Sequence, residues 1–369
     1  MKTNPEEGSV FQRSGRAMVW ILLMPLPGLR VGRVSGARQP RAILNSAACL
    51  VVFMVAFGGA VRDLHAQEFS LFGGASHSGD THTYTWAFNY QEGLGENFAA
   101  SFMWLNEGHI PNHHRDGQAV QFWARLPLAE RRLVFQAGLG PYRYFDTTTP
   151  EQGGSYSNTH GWGLVYSGRV AYYLSNRWVM QLQLNRVQAF GGPDSIGVLF
   201  GVGYQLDAPD RRGPRDWASG SASKVTNQEV TLYVGRSIVN STTSPTALAG
   251  AIDYRIGLAK YLDLTVGYLH EGSSQIARRD GVTSQLWLTR AFINDSITLG
   301  VGLGGYYAIN EHQNSPSPGP GEGKFAGLIS ISAAYRFTPH WAARLTWNRV
   351  ATSYDRDTDV IFAGIGYRF

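Results

Sequence analysis

Cysteine is nearly absent from this 369-residue chain: only Cys49 is present. It lies inside an N-terminal apolar run, so a processed chain would hold no thiol. Disulfides, cysteine nucleophiles and thiolate metal sites are then excluded. Charge is scarce too. Charged residues make up 16% of the sequence, against ~25% in ordinary soluble domains. The formal net charge of +5 is concentrated at the start. Residues 1–66 carry eight of the 32 basic and three of the 27 acidic side chains, leaving 24 of each in the remainder. No basic patch is left for nucleic acid. Helical periodicity of useful length is also missing beyond residue 67.

What is abundant is glycine, at 44 residues, and aromatic side chains, at 12%. Together with 43% hydrophobic residues, this composition suits a β-rich membrane wall better than a cytosolic enzyme. Residues 1–66 read as a signal or leader segment. Arg38 and Arg41 precede the apolar run 47–57, and Leu64-His65-Ala66 offers a small residue before a cut at Gln67. A basic region, a short apolar run and a small cleavage residue describe a secretory signal. The run is too short for a spanning helix, which needs about 20 apolar residues.

The rest of the chain repeats itself. Residues 87–108, AFNYQEGLGENFAASFMWLNEG, align with 251–272, AIDYRIGLAKYLDLTVGYLHEG. The same offset places Arg115-Asp116-Gly117 on Arg279-Asp280-Gly281, and Gln121 and Trp123 on Gln285 and Trp287. One residue is then lost, and Trp178, Asn185-Arg186-Val187 and Gly203-Tyr204 match Trp341, Asn348-Arg349-Val350 and Gly366-Tyr367. Repeat one is read as 67–206 and repeat two as 229–369. Between them, 207–228 is polar and aperiodic, a linker or long periplasmic turn.

Within each repeat the period is two. Trp178, Met180, Leu182 and Leu184 alternate with Val179, Gln181, Gln183 and Asn185. Segments of about 10 residues, apolar outward and polar or small inward, mark the strands of a transmembrane β-barrel. Eight strands are predicted per repeat, near 67–76, 82–91, 97–106, 117–127, 132–144, 162–174, 177–188 and 195–206, then near 229–239, 246–256, 260–270, 281–291, 295–308, 324–337, 340–350 and 358–369. Short connections such as 92–96 and 128–131 alternate with long ones such as 107–116 and 145–161, as turns and outer loops do in such barrels. Tyr90, Tyr172, Trp178 and Tyr204, with Tyr254, Tyr335, Trp341 and Tyr367, all take the apolar parity at the short-turn ends of their strands. Rings at one depth predict an interfacial girdle.

The chain closes on alternating apolar residues, with Ile365, Tyr367 and a terminal Phe369. This resembles the C-terminal signal read by the barrel-assembly machinery, and the chain as a whole resembles the Gram-negative outer-membrane β-barrel superfamily. The resemblance implies an all-β antiparallel barrel in the cell outer membrane, in contact with its lipid and brought there with periplasmic chaperones. The last strands of each repeat are also similar in layout to the lipid A 3-O-deacylases, whose His-x-Ser pair and Glu would fall here. At those positions stand Asn185-Arg186-Val187 and Asn348-Arg349-Val350. Without a base or a nucleophile, activated attack fails, and no enzyme activity, metal or cofactor is expected.

His109, His113 and His114 beside Asp116 resemble a metal cluster, but only the Asp recurs in the second repeat, and a solvated histidine run is preferred. Shared by both repeats are Glu107, Arg115 and Asp116, repeated as Glu271, Arg279 and Asp280. They predict either a carboxylate–guanidinium latch on an outer loop or a charged ring at a pore mouth. Inward Gly138, Gly140, Gly201 and Gly203 are expected to admit bulky neighbours such as Tyr142. Sixteen strands closing together would enclose water, making a passive porin-like channel. Two tandem eight-stranded barrels, filled by side chains, are the alternative, and with them a structural or surface-interaction role. The single large barrel is favoured because one chain then assembles only once.

Overall fold

The computed structural model describes residues 67–110, 112–149, 155–207, 211–216, 228–274, 277–313 and 324–369. The leader read at 1–66, and Cys49 with it, lies outside the described residues. In the first repeat the strands are β1 (Gln67–Ser78), β2 (Thr81–Gly93), β3 (Phe98–Ile110), β4 (His113–Leu128), β5 (Leu133–Thr148), β6 (Ser157–Tyr173), β7 (Trp178–Ala189) and β8 (Ser195–Gln205). In the second they are β9 (Glu229–Val239), β10 (Thr246–Ala259), β11 (Leu262–Ser273), β12 (Ala277–Phe292), β13 (Ile297–Gln313), β14 (Phe325–Arg336), β15 (Trp341–Ala351) and β16 (Thr358–Arg368). All sixteen predicted strands are present, every pair is antiparallel, and no helix occurs among the described residues.

Closure corrects the favoured expectation of one sixteen-strand barrel. β1 pairs with β8, Phe69 opposite Tyr204 and His77 opposite Ile196. β9 pairs with β16, Val230 opposite Tyr367 and Ile238 opposite Asp359. The chain therefore forms two closed eight-stranded barrels. Their tight curvature depends on glycine. A Cβ on Gly140 would lie 1.8 Å from the Val120 carbonyl oxygen, and one on Gly304 1.9 Å from that of Ser284. Once β1 and β8 have paired, barrel one offers β9 no open edge.

The strands also run further than their apolar alternation. The stretch 107–116, expected as a long outer loop, is a tight hairpin, because β3 continues to Ile110 and β4 begins at His113. Backbone hydrogen bonds continue there without apolar side chains, so the ladder outlasts the pattern used to find it. The hairpin carries a bulge after Asn106, and the equivalent hairpin carries one after His270. Gly108 and Gly272 occupy them with φ of +76° and +77°. A Cβ at either would come within 2.1 Å of a carbonyl oxygen of the neighbouring strand. This is the physical reason for a Glu-Gly step in both repeats.

Inward rows fill both barrels. Trp123 donates from Nε1 to Ser101 Oγ at 2.8 Å, and its counterpart Trp287 donates to Thr265 Oγ1 at 2.9 Å. Each indole lies against a glycine, Gly138 or Gly302, where a Cβ would clash at 2.6 or 2.7 Å. A guanidinium also lies over each ring, Arg169 at 4.3 Å and Arg255 at 4.7 Å from the centroid. Glycine thus admits a bulky neighbour as expected, but at Gly138 that neighbour is Trp123. Tyr142 instead packs on Gly117. Gln121 and Gln285 donate to Ser167 and Ser330, which in turn donate to Asn185 and Asn348.

Outward rows are apolar, with residues such as Leu182, Phe200, Leu232 and Leu345 more than half exposed. Of the eight expected girdle rings, Tyr172, Trp178, Tyr254, Tyr335, Trp341 and Tyr367 are exposed on this row. Tyr204 is half-buried against Trp178, with centroids 5.0 Å apart. Tyr90 departs from the girdle: it faces outward but packs on Phe292 of the second barrel. Residues 211–216 of the linker are folded as well. Asp216 accepts from Arg131 at 2.5 Å, and Gln205 donates to the Gly213 carbonyl at 2.9 Å. Residues 211–216 therefore lie across the short-turn end of barrel one.

Candidate functional site

Two sets of charged residues merit a functional reading, and both gather groups from distant strands. The first lies inside each barrel at the end opposite the chain termini. Arg115 and Glu107 sit on inward rows of β4 and β3, brought together by the bulge at Gly108. Arg115 donates from Nε to Glu107 Oε1 at 2.7 Å and from Nη2 to Oε2 at 2.6 Å. Glu107 also accepts from Tyr142 at 2.8 Å and from Ser195, while Arg115 Nη1 donates to the Pro193 carbonyl at 2.7 Å. Arg115 is fully buried and Glu107 very nearly so.

Barrel two repeats the arrangement. Arg279 donates to Glu271 from Nε at 3.0 Å and from Nη2 at 2.8 Å. Thr358 donates to Glu271 at 2.7 Å, in the place of Ser195, and Arg279 also donates to the Tyr354 hydroxyl at 3.0 Å. The expected carboxylate–guanidinium pairs thus form in both copies, across the lumen wall rather than on a loose loop.

Asp116 and Asp280 were expected with these pairs, and the structure separates them. On a strand, adjacent residues point to opposite faces, so Asp116 faces out where Arg115 faces in. Asp280 accepts from the Tyr268 hydroxyl at 2.5 Å and from Asn310 at 3.0 Å. Asp116 belongs to the second charged set, between the barrels. Arg349 on β15 donates to both Asp116 oxygens, at 2.9 and 2.7 Å, and to both oxygens of Asp359 on β16, at 2.6 and 2.8 Å. Trp347 Nε1 donates to Asp359 at 2.8 Å and Trp104 Nε1 to Asp116 at 3.4 Å. The two indoles stack across the junction, centroids 4.6 Å apart. At the short-turn end Arg290 meets Glu92 at 3.3 Å.

Arg349, Asp359, Trp104 and Trp347 escaped the sequence reading as a site, although a signal existed. Arg349 and Asp359 carry charge on outward rows that are otherwise apolar, where an unpaired charge is costly. Their outward parity could be read, but not their partner.

At the outer rim the barrels meet again through the 352–357 turn. His160 Nε2 lies 2.6 Å from Asp357 Oδ2, and the Asn158 amide donates to Asp355 at 2.7 Å. Burial works against charge on Asp357, but His160, the Thr352 amide and Arg349 outweigh it and hold the carboxyl below its ordinary range. A depressed carboxylate pKa stabilises the fold above the unfolded value of about 4, and that contribution is lost as pH falls through the folded value. Asp357→Asn should therefore lower the midpoint of thermal unfolding in detergent at pH 6 and matter much less at pH 3. An equal deficit at both pH values would contradict this. Asp146 lies 2.7 Å from His113 Nδ1. His109 lies against His114, centroids 4.4 Å apart. Among the described residues no three His, Cys, Asp or Glu side chains come together as a metal site.

No protein-family model matches the chain, and no curated protein sequence matches it. Solved structures of barrels do. Neisserial surface protein A is 13% identical, covering 38% of this chain and 96% of its own, with a TM-score of 0.28. The translocator domain of the autotransporter NalP from Neisseria meningitidis is 11% identical, covering 89% and 97%, at 0.21. An outer membrane channel from Pseudomonas putida F1 is 12% identical, covering 83% and 96%, at 0.21.

Proposed function

We propose that this chain is a non-enzymatic outer-membrane protein of the Gram-negative type, exported by its leader, whose two barrels form a rigid double anchor without a standing pore. The two eight-strand units are read as a tandem duplication, a reading supported by pairing registers that agree position by position. Outer-membrane lipid is the proposed surroundings of the apolar rows, and Ile365, Tyr367 and Phe369 the proposed assembly signal. The observation that carries the reading is the filling of both interiors. Eight strands leave room only for side chains, and here these are the Trp–Gly–Arg layers and the buried Arg–Glu pairs. A gap of about 10 Å³ in barrel two beside Asp253, Gln285 and Asn348 holds one water at most.

Planar-bilayer recordings with purified protein test this. Insertions should add no steady conductance. A stable ohmic step with most insertions would reject the closed double anchor in favour of a passive channel. A second reading is favoured by the repetition of the mouth pairs: that they are gates. In that case the double variant Arg115→Ala/Arg279→Ala would conduct where the parent does not.

A further inference from the structure

Two guanidinium groups on the outward wall of barrel one have no partner. Arg143 of β5 stands between buried Tyr142 and Tyr144, and Arg186 of β7 between buried Asn185 and Val187, so both take the outward parity. Arg143 is half-buried, its guanidinium 5.3 Å from the Trp162 ring centroid and 5.6 Å from that of Phe145. Arg186 is exposed. Neither makes a hydrogen bond or an ion pair among the described residues. Asp357 acts on the Arg143 charge from the turn of barrel two, but its oxygens serve His160 and Thr352. Opposite Arg143 in the ladder stands Gln118, 8% exposed, and neither polar atom of its side chain has a partner. β6, β7 and β8 contain no acidic residue, and Asp146, the one on β5, takes the inward parity.

The second barrel shows that these groups are not needed to build such a wall. At the positions of Gln118, Arg143 and Trp162 it has Val282, Tyr307 and Phe325, paired in the same register and all exposed hydrophobic residues. An amide and a guanidinium left unpaired there cost stability, which a bound anion would offset. Their height fits a lipid head group. Arg143 lies ten residues along β5 from Leu133, which pairs with Tyr172 of the girdle, and Arg186 lies eight along β7 from Trp178. A rise of ~3.3 Å per residue and a tilt of about 40° place them roughly 25 and 20 Å above that girdle, at the far edge of an apolar band about 25 Å tall. Below Arg143 the wall is indented. Ala137 lies opposite Gly168, where barrel two has Val301 opposite Ile331, and a Cβ on Gly168 would meet nothing within 4 Å.

We propose that this wall of barrel one holds an anionic, phosphate-bearing lipid. Arg143 takes the phosphate, with the unused N–H groups of Gln118 beside it. Arg186, two strands away on the same face, adds positive charge near that depth, and an acyl chain lies across Gly168 and Ala137. A guanidinium presents paired donors that match two phosphate oxygens, and a charge on a lipid-facing row needs such a counter-ion. The inference rests on the membrane-embedded reading above.

The test uses the full chain. Flotation after an alkaline carbonate wash first shows whether it is integrated in the bilayer, and release by carbonate would reject the membrane reading itself. Integrated protein, purified in a neutral maltoside detergent, is then titrated with phosphatidylglycerol or phosphatidylcholine, and bound lipid is counted by native mass spectrometry. Phosphatidylglycerol should bind at least about tenfold more tightly, and the double variant Arg143→Tyr/Arg186→Leu should lose about tenfold or more in that affinity. Barrel two already carries Tyr307 at the first position, so the variant should keep the parent's circular dichroism. Equal binding of the two lipids by the parent would overturn the proposal, as would an affinity unchanged in the folded variant. Displacement of the lipid by millimolar inorganic phosphate would make the ligand a free anion and overturn it too.

Discussion

Arg349→Ala should detach the two barrels from each other while leaving each one folded. The guanidinium makes four hydrogen bonds to Asp116 and Asp359 and is buried. Its removal leaves two carboxylates facing one another in a site that excludes water. Breaking a buried pair by deleting one partner costs about 3–5 kcal/mol, and here the remaining charges also repel. Nothing in either barrel's hydrogen-bonded ladder depends on Arg349's side chain, so the loss falls on the junction. Spin labels placed on exposed positions of β7 and β11 should report one narrow distance in the parent and a broad distribution in the variant. A narrow distribution in the variant would defeat the prediction. The triple change Arg349→Leu, Asp116→Asn and Asp359→Asn should recover much of the docking, because replacing all charged members of a buried cluster by neutral groups is often nearly neutral. That recovery would separate the cost of orphaned charge from any intrinsic strength of the cluster.

Arg115→Ala should be the most damaging single change inside a barrel, and its effect should stop at that barrel. Glu107 would retain only the hydroxyls of Tyr142 and Ser195 as donors, in an interior closed to solvent. A loss of about 3–5 kcal/mol is expected for the first barrel, read as a lower urea midpoint in micelles. Arg279→Ala should act equally on the second barrel, where the hydroxyls left to Glu271 include that of Thr358. Two separable transitions, each moved by only one of the variants, are the expected result. A change below about 1 kcal/mol for Arg115→Ala would place that pair among ion pairs of surface strength.

Much of the barrel wall was legible from residue order, for an identifiable reason. The side-chain alternation of a strand between the outward and inward faces of the barrel is a local property, and each strand displays it alone. Strand ends were less legible. A strand needs hydrogen bonds but not apolar side chains, so β3, β4, β5 and β6 extend through stretches that read as loops. The Glu107–Arg115 and Glu271–Arg279 pairs were found because they recur. Their separation from Asp116 and Asp280 follows from adjacency on a strand, an argument available from order alone.

By itself, then, residue order determined that the chain is all-β, built twice from one eight-strand pattern, apolar on one parity and polar or small on the other. Closure was decided only in three dimensions. The edges of β8 and β16 present the same rows of amide and carbonyl groups, so nothing local says which of them β1 will meet. The fate of Arg186 and Arg349 was decided there as well. They share neighbours, parity and repeat position, yet one lies exposed on the apolar wall and the other is buried between Asp116 and Asp359. What distinguishes them is which face of the neighbouring barrel stands opposite, a relation between strands more than two hundred residues apart.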